Sequence, residues 1–361
     1  MTDFDHFVGT QPVSDKLAFN VDALSAWLDK NLSGFKGPLT VESFKGGQSN
    51  PTYKLRTPER SYVMRSKPAP VAKLLPSAHA VEREYAVMKG LAASDVPVPQ
   101  MYCLCEDESV IGRAFFIMEF KAGRVMWDQS LPGMSNAERD AIFDEMNRVI
   151  AALHTVKYAE RGLAGFGKPG NYFERQIGRW SKQYRASITQ PIPEMDRLMD
   201  WLPQNMPELA RSESMVSIVH GDYRLDNTMF HPTEPRIIAV LDWELSTLGH
   251  PLADFSYHCM TWNMPHELGR GIGGLDIASL GIPSEEEYIR RYCKRTQFAT
   301  PQELKVDWNF FVAYNMFRLA AILQGIAKRV EAGTASSAQA VSSGAGARPL
   351  AELAWQFAQK A

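Results

Sequence analysis

Val21, Leu24, Trp27 and Leu28 recur at helical spacing, and Gly34 with Gly37-Pro38 closes the run. The pattern predicts a helix opening near residue 21, after a loose lead-in over residues 1–20. The periodicity then becomes that of strands. Leu39–Phe44 and Thr52–Arg56 flank a glycine turn, Ser61–Arg65 supplies a third strand, and Phe115–Phe120 a fourth. A helix from about Ala78 to Ala92 separates the last two, and Val96-Pro97-Val98-Pro99 marks an extended connection because it cannot be helical. Farther on, Ser135-Asn136-Ala137-Glu138 reads as a capping box. It precedes an apolar stripe of Ile142, Phe143, Met146, Val149, Ile150 and Leu153 on one long helix. Two β-type runs, Val216–His220 and Ile237–Trp243, interrupt the helical part. Residues 333–348 (GTASSAQAVSSGAGAR) predict a flexible small-residue linker, and 349–361 a C-terminal amphipathic helix.

Strands with one helix, followed by helices around two short β elements, give an α+β chain with segregated halves. The expected boundaries are an N-terminal lobe over 1–120 and a C-terminal lobe over 121–332. Composition narrows the function class. With 39 Lys+Arg against 41 Asp+Glu the chain carries a formal charge of −2, without the strong basic excess of a nucleic-acid binder. Four cysteines in 361 residues form no disulfide framework, and Cys103/Cys105 lack the two-residue spacer of a zinc motif. The acidic N-terminus lacks the charge pattern of a signal peptide. The longest apolar stretch, Phe310–Leu323, is broken by Asn315 and Arg318, so no membrane span and a cytoplasmic location are expected.

The densest chemistry lies in Val219-His220-Gly221-Asp222-Tyr223-Arg224-Leu225-Asp226-Asn227, followed by Val240-Leu241-Asp242-Trp243-Glu244. An apolar strand delivers a His-Gly-Asp turn, Asn227 follows five residues after Asp222, and a second apolar strand ends on Asp242. This suits phosphoryl transfer: Asp222 orients or accepts the proton of an attacking hydroxyl, while Asn227 and Asp242 hold magnesium through hard oxygens. His220 is expected to brace the loop, Asp226 likewise, and Asp254 to anchor the helix that follows. On a helical wheel Glu84 falls inside the arc of Val81, Tyr85, Met88 and Leu91, so it needs a buried partner, and Arg65 on a neighbouring strand is the natural one. Phe255, Tyr257, His258, Met260 and Trp262 either wall an acceptor pocket or pack the core. Gly271-Ile272-Gly273-Gly274 has no preceding strand and no third glycine in position, so a nicotinamide site is excluded, and no Walker sequence occurs.

These motifs, in this order, resemble the protein-kinase-like fold in its aminoglycoside phosphotransferase form. That form reads His-Gly-Asp in the catalytic loop and Asp-Trp-Glu or similar at the metal site. Phe44-Lys45-Gly46-Gly47-Gln48-Ser49-Asn50-Pro51-Thr52-Tyr53 is similar to the family's phosphate-covering hairpin, Tyr62-Val63-Met64-Arg65 to its third strand, Ala80–Leu91 to its ion-pair helix, and Ile117-Met118-Glu119-Phe120 to its hinge. Within the family, Gly-Gly-Gln-Ser-Asn-Pro-Thr-Tyr and Leu-Asp-Trp-Glu-Leu-Ser-Thr-Leu-Gly resemble most closely the kinase-like domain fused to acyl-CoA dehydrogenases. Arg65 stands where protein kinases carry Lys, and His250 where close relatives carry an acid.

The resemblance implies a two-lobed kinase-like fold and an ATP- (or GTP-) and Mg2+-dependent phosphotransferase acting on a small-molecule hydroxyl. It places phosphates at Gly46, Gly47, Gln48, Ser49, Asn50 and Arg65, with Glu84 fixing Arg65, and adenine against Met118, Glu119 and Phe120. No Ala-Pro-Glu segment follows Asp242, so a protein substrate is not expected. The missing acidic excess argues against polycationic aminoglycosides, and the fused relatives point to a hydroxyacyl-CoA or related hydroxy metabolite and to a link with acyl-CoA metabolism. A catalytically inactive nucleotide-binding scaffold is the alternative. Local charge fits a nucleotide: residues 36–73 carry eight basic and two acidic residues, net +6, and residues 220–254 carry two basic and six acidic, net −4.

Overall fold

The computed structural model describes residues 9–45, 50–68, 80–268, 271–334 and 340–361. The chain forms two compact units: Met1–Trp127 with Tyr158–Phe166 and Asp226–Ser246, and Asp128–Lys157 with Gly167–Leu225 and Thr247–Ala361.

In the first unit a six-stranded antiparallel sheet is built from β1 (Thr10–Pro12), β2 (Thr40–Phe44), β3 (Thr52–Arg56), β4 (Ser61–Ser66), β5 (Met101–Cys105) and β6 (Phe115–Glu119), in the order β1-β2-β3-β4-β6-β5. Alternation along these strands sends Tyr53, Leu55, Tyr62, Met64, Phe115 and Ile117 to one face, where they bury Leu24 and Leu28 of helix α1 (Val21–Asn31). The Asn20 side chain caps α1 by accepting the Ala23 amide at 2.9 Å. The opposite face carries Val63, Arg65, Phe116 and Met118, since the register pairs Arg65 with Phe116 and Val63 with Met118. Helix α2 (Val81–Leu91) covers part of that face, its Tyr85 ring 6.1 Å from Phe116. A second, three-stranded sheet in this unit runs β10 (Ile237–Val240), β9 (Thr228–Phe230), β7 (Arg124–Val125). Gly123 admits this pairing, because a Cβ there would lie 2.5 Å from the Phe230 carbonyl oxygen. The lead-in thus holds a strand, β1, too short for alternation to declare it.

The second unit is helical: α3 (Asn136–His154), α4 (Tyr172–Ser187), α5 (Pro193–Gln204), α6 (Glu208–Arg211), α7 (Pro251–Asn263), α8 (Glu285–Thr296), α9 (Pro301–Glu331), α10 (Ala340–Ala345) and α11 (Ala347–Ala358), with the two-stranded sheet β8 (Ser217–Val219) and β11 (Thr247–Gly249). The capping box at Ser135 and Glu138 is formed. Helix α9 is 31 residues long and, by length and composition, apolar enough to cross a membrane, whereas the sequence pattern predicted no stretch of that length. Its apolar window is 72% buried inside the protein, which accounts for its composition. The described part of the expected linker is also revised. Residues 340–345 are helix, and Gly344 permits close packing on α9, since a Cβ there would lie 2.9 Å from Ala327 Cα. Small residues that read as a spacer serve here as a helix contact, and α11 begins at Ala347, two residues before the expected helix.

Candidate active site

In the first unit the site begins with β4. Register places Arg65 next to Thr52 of β3 and Phe116 of β6, its side chain on the α2 face of the sheet. Arg65 Nε lies 2.8 Å from Glu84 Oε2, Nη2 lies 2.6 Å from Asp242 Oδ1, and Glu244 Oε2 is 3.9 Å away. Glu84 is 1% exposed and also accepts the Asn50 amide at 2.7 Å. Burial pushes the Glu84 carboxyl above its ordinary range, with Arg65 pulling it part of the way back. Burial works against the Arg65 charge too, but Glu84, Asp242 and Glu244 more than offset it, so the guanidinium stays cationic. Wheel position alone had placed Glu84 against Arg65. Asn50 is fully buried, and its side-chain amide supports Glu84.

The hairpin of β9 and β10 brings Asn227 and Asp242 to one end. Thr228 pairs with Val240, and the Leu241 amide donates to the Asn227 carbonyl at 2.8 Å, so the two residues flank the open end of the ladder. Asp242 adopts φ +62°, ψ +63°, a left-handed conformation that Asp tolerates better than most side chains. Its carboxylate is about one-third exposed, and Asn227 is 9% exposed. Met118 shares the sheet face of Arg65. The Glu119 amide pairs with the Gln100 carbonyl at 2.9 Å, its carboxylate meets Lys121 at 2.9 Å, and Lys54 sits 3.9 Å above the Phe120 ring. Gly46, Gly47, Gln48 and Ser49 lie outside the described residues.

In the second unit, β8 ends at Val219 and the chain turns through His220 and Gly221, the glycine at φ +84°. The turn is held from below by Asp254 of α7, which accepts the His220 amide at 2.7 Å and the Gly221 amide at 2.8 Å. His154 of α3 contacts the same carboxylate at 3.2 Å and Tyr292 at 2.7 Å. Burial raises the Asp254 carboxyl, but His154 and the His220 amide outweigh it and hold it below the ordinary carboxylate value. Asp254 therefore braces the His-Gly-Asp turn and fastens α7 to it. His220 Nδ1 accepts the Asp222 amide at 3.2 Å, the bracing role expected of it.

Asp222 itself carries a dense donor set. Arg224 Nε lies 2.8 Å from Oδ1 and Nη2 3.1 Å from Oδ2, and the Tyr257 hydroxyl donates to Oδ1 at 2.5 Å. Burial raises the Asp222 carboxyl, yet Arg224 and the Tyr257 hydroxyl outweigh it and leave it below the usual value. The Tyr257 hydroxyl is pushed up in turn, by burial and by Asp222. Of the aromatic cluster on α7, Tyr257 reaches Asp222. Phe255 stacks on Tyr292 at 3.7 Å, His258 meets the Tyr288 hydroxyl at 2.7 Å, and Trp262 donates to the Pro283 carbonyl at 2.8 Å, all core contacts. Tyr257 follows Asp254 by three residues on α7 and His258 follows it by four, so both share a helix face and spacing does not single out the ring that meets Asp222. His250 is the α7 cap, its Nδ1 accepting the Leu252 amide at 3.2 Å, and burial pulls its pKa down to about 4, so it caps as a neutral ring. Gly271 and Gly273 pack against the Met264 carbonyl with no room for a Cβ, which explains that glycine cluster without a cofactor.

Removing one donor tests this electrostatic reading. Asp222 loses its proton below the ordinary carboxylate range, so activity depending on it persists as pH falls to that range and is lost only below it. In Tyr257→Phe the acid limb of kcat/KM is expected to move upward by about one pH unit, as loss of a hydrogen bond to a charged group implies. A pH–rate profile whose acid limb does not move would remove Tyr257 from this role.

The profile of the Phosphotransferase enzyme family matches residues 40–301. The chain is 46% identical over 355 residues to acyl-CoA dehydrogenase family member 10 of Mus musculus, which covers 97% of this chain and 32% of that protein. It thus spans about a third of that relative's length. A crystal structure of a Ralstonia eutropha JMP134 protein assigned to the aminoglycoside phosphotransferases is 61% identical, with a TM-score of 0.86 over 95% of this chain and 99% of that one. Choline kinase from Cryptosporidium parvum Iowa II shares the fold at 13% identity, with a TM-score of 0.64 over 94% of this chain and 96% of that one.

Proposed function

The chain belongs to the Phosphotransferase enzyme family, a small-molecule kinase with an alcohol group as acceptor, and from that premise we propose that it moves the γ-phosphoryl group of ATP, or GTP, to a hydroxylated metabolite. Asp222 carries this reading: a carboxylate held ionised by Arg224 and Tyr257 at the end of a braced turn. It accepts a hydrogen bond from the acceptor hydroxyl and aligns the oxygen on phosphorus. The new O–P bond forms as the bond to the leaving diphosphate breaks, and the hydroxyl proton passes to the Asp222 carboxylate. A strong base is not required, because the phosphoryl transition state is loose and the hydroxyl gives up its proton late.

Arg65 grips phosphate oxygens with a fork that Glu84 keeps aimed, and the family resemblance assigns residues 46–50 to the same phosphates. Adenine lies against Met118, Glu119 and Phe120. Asn227 and Asp242 would hold Mg2+, which fits their donor chemistry: two hard oxygens at one end of a hairpin, the carboxylate partly exposed. When bound, the metal supplies neutralisation of the phosphate charge. The homology to dehydrogenase-fused proteins favours a hydroxyacyl-CoA or a related hydroxy metabolite as acceptor, and the free cysteines suit the cytoplasm.

A phosphate-transfer screen with Mg-ATP over hydroxy acids, their CoA thioesters, sugars and amino alcohols tests the proposal. Turnover on a hydroxylated acceptor is expected. Nucleotide binding with no turnover on any class would replace it with the inactive-scaffold reading.

A further inference from the structure

Arg318 of α9 is 8% exposed, so its charge is largely withdrawn from water. Its Nη2 donates to the Gly221 carbonyl at 2.6 Å, one residue before Asp222. The guanidinium carbon lies 5.0 Å from the centroid of the Tyr257 ring and 5.8 Å from that of Trp180. Among the described residues no carboxylate lies within salt-bridge distance of it, and no second protein acceptor takes Nε or Nη1. Among the described residues neither of those nitrogens is a sealed, unsatisfied atom, and the side chain keeps some contact with solvent. Burial alone would weaken the Arg318 charge, yet nearby Tyr314, Tyr172, Tyr257 and Asp222 keep it on.

A guanidinium has five donors in a rigid fork, and a buried one is costly without an oxygen partner of matching geometry. A protein that only needed to pin the Gly221 carbonyl could do so with a neutral amide. The retained cation, flanked by two aromatic rings and one residue from the carboxylate that takes the acceptor hydroxyl, is built to meet an oxygen arriving from outside. The Arg318 cation itself disfavours a cationic acceptor beside it and suits one bearing electron-rich oxygen.

We propose that Arg318 receives the acyl oxygen of the acceptor, so that the substrate is a hydroxy acid, or its thioester, bound by its hydroxyl at Asp222 and by its acyl group at the Arg318 fork. This rests on the phosphotransferase reading and specifies its acceptor. A carboxylate and a thioester carbonyl offer the same chemistry to the fork; the carboxylate adds charge and a second oxygen.

Titration calorimetry without nucleotide, on full-length protein, separates this proposal from turnover. The probes are 2-, 3- and 4-hydroxybutyrate, their CoA thioesters, 1,3-butanediol and choline. Wild type is expected to bind at least one acyl probe roughly 50-fold more tightly than the diol, as a site built around a polar partner discriminates, and choline more weakly still. In Arg318→Met that ratio is expected to fall close to one, and in Arg318→Lys to an intermediate value because the fork is lost. Tighter binding of acid than thioester would assign the carboxylate, and the reverse order the thioester. If Arg318 merely pins the turn, the substitutions weaken acid and diol alike and the ratio stays, which overturns the proposal. So does wild-type preference for the diol or for choline. Nucleotide affinity measured on the same samples reports separately on the phosphotransferase reading and on folding of the variants.

Discussion

Asp222→Asn is expected to lower kcat by 10²- to 10⁴-fold while nucleotide affinity stays within about twofold of wild type. The amide keeps the size of the carboxylate and one acceptor oxygen, so the turn held by Asp254 through the His220 and Gly221 amides should persist. What disappears is the negative charge that Arg224 and Tyr257 are arranged to maintain. An asparagine cannot take the hydroxyl proton, and its NH2 group would face two donors that it cannot satisfy. Steady-state kinetics on any acceptor found in the screen, with calorimetry of a non-hydrolysable nucleotide, provides the check. Turnover retained within tenfold would remove Asp222 from the reaction. The small shift in nucleotide affinity matters equally, because a large one would mean that the turn itself had collapsed.

Arg65→Met is expected to be the most destabilising single change at the site, by about 3–5 kcal/mol, the usual cost of stripping one partner from a buried ion pair. Glu84, at 1% exposure, would keep only the Asn50 amide from its present pair of described contacts at this site and would tend to protonate. The double variant Arg65→Met/Glu84→Gln should recover a substantial part of the loss, since no buried charge is then left unmatched. Urea unfolding of the two single variants and the double gives the coupling. If the losses simply add, the pair contributes nothing jointly. Arg65→Lys tests a different property. One ammonium cannot reach Glu84 and Asp242 in the geometry that the fork allows, 2.8 and 2.6 Å from separate nitrogens. Nucleotide affinity should fall at least tenfold, with stability affected less than in Arg65→Met.

The contrast between Glu84 and Tyr257 shows how far a sequence reaches. Glu84 declares itself because a carboxylate on the apolar arc of an amphipathic helix must find a cation, and helical periodicity is local information. Tyr257 sits in α7, where every residue from Pro251 to Met260 is buried, so no periodicity distinguishes the one ring aimed at Asp222 from those packed in the core. The same limit applies to Gly344, read as spacer and found at a close helix crossing.

Sequence alone determined the α+β order, most elements of the first sheet, the His-Gly-Asp turn with Asn227 and Asp242, and the pairing of Glu84 with Arg65. Each is fixed by near-neighbour spacing or by a motif whose residues must act together. Only the tertiary structure decided which groups surround Asp222: Arg318 from α9 lies 96 residues along the chain, and Asp254 braces the turn from 32 residues away. Those partners are chosen by how helices pack, and packing couples residues whose separation along the chain carries no period to read.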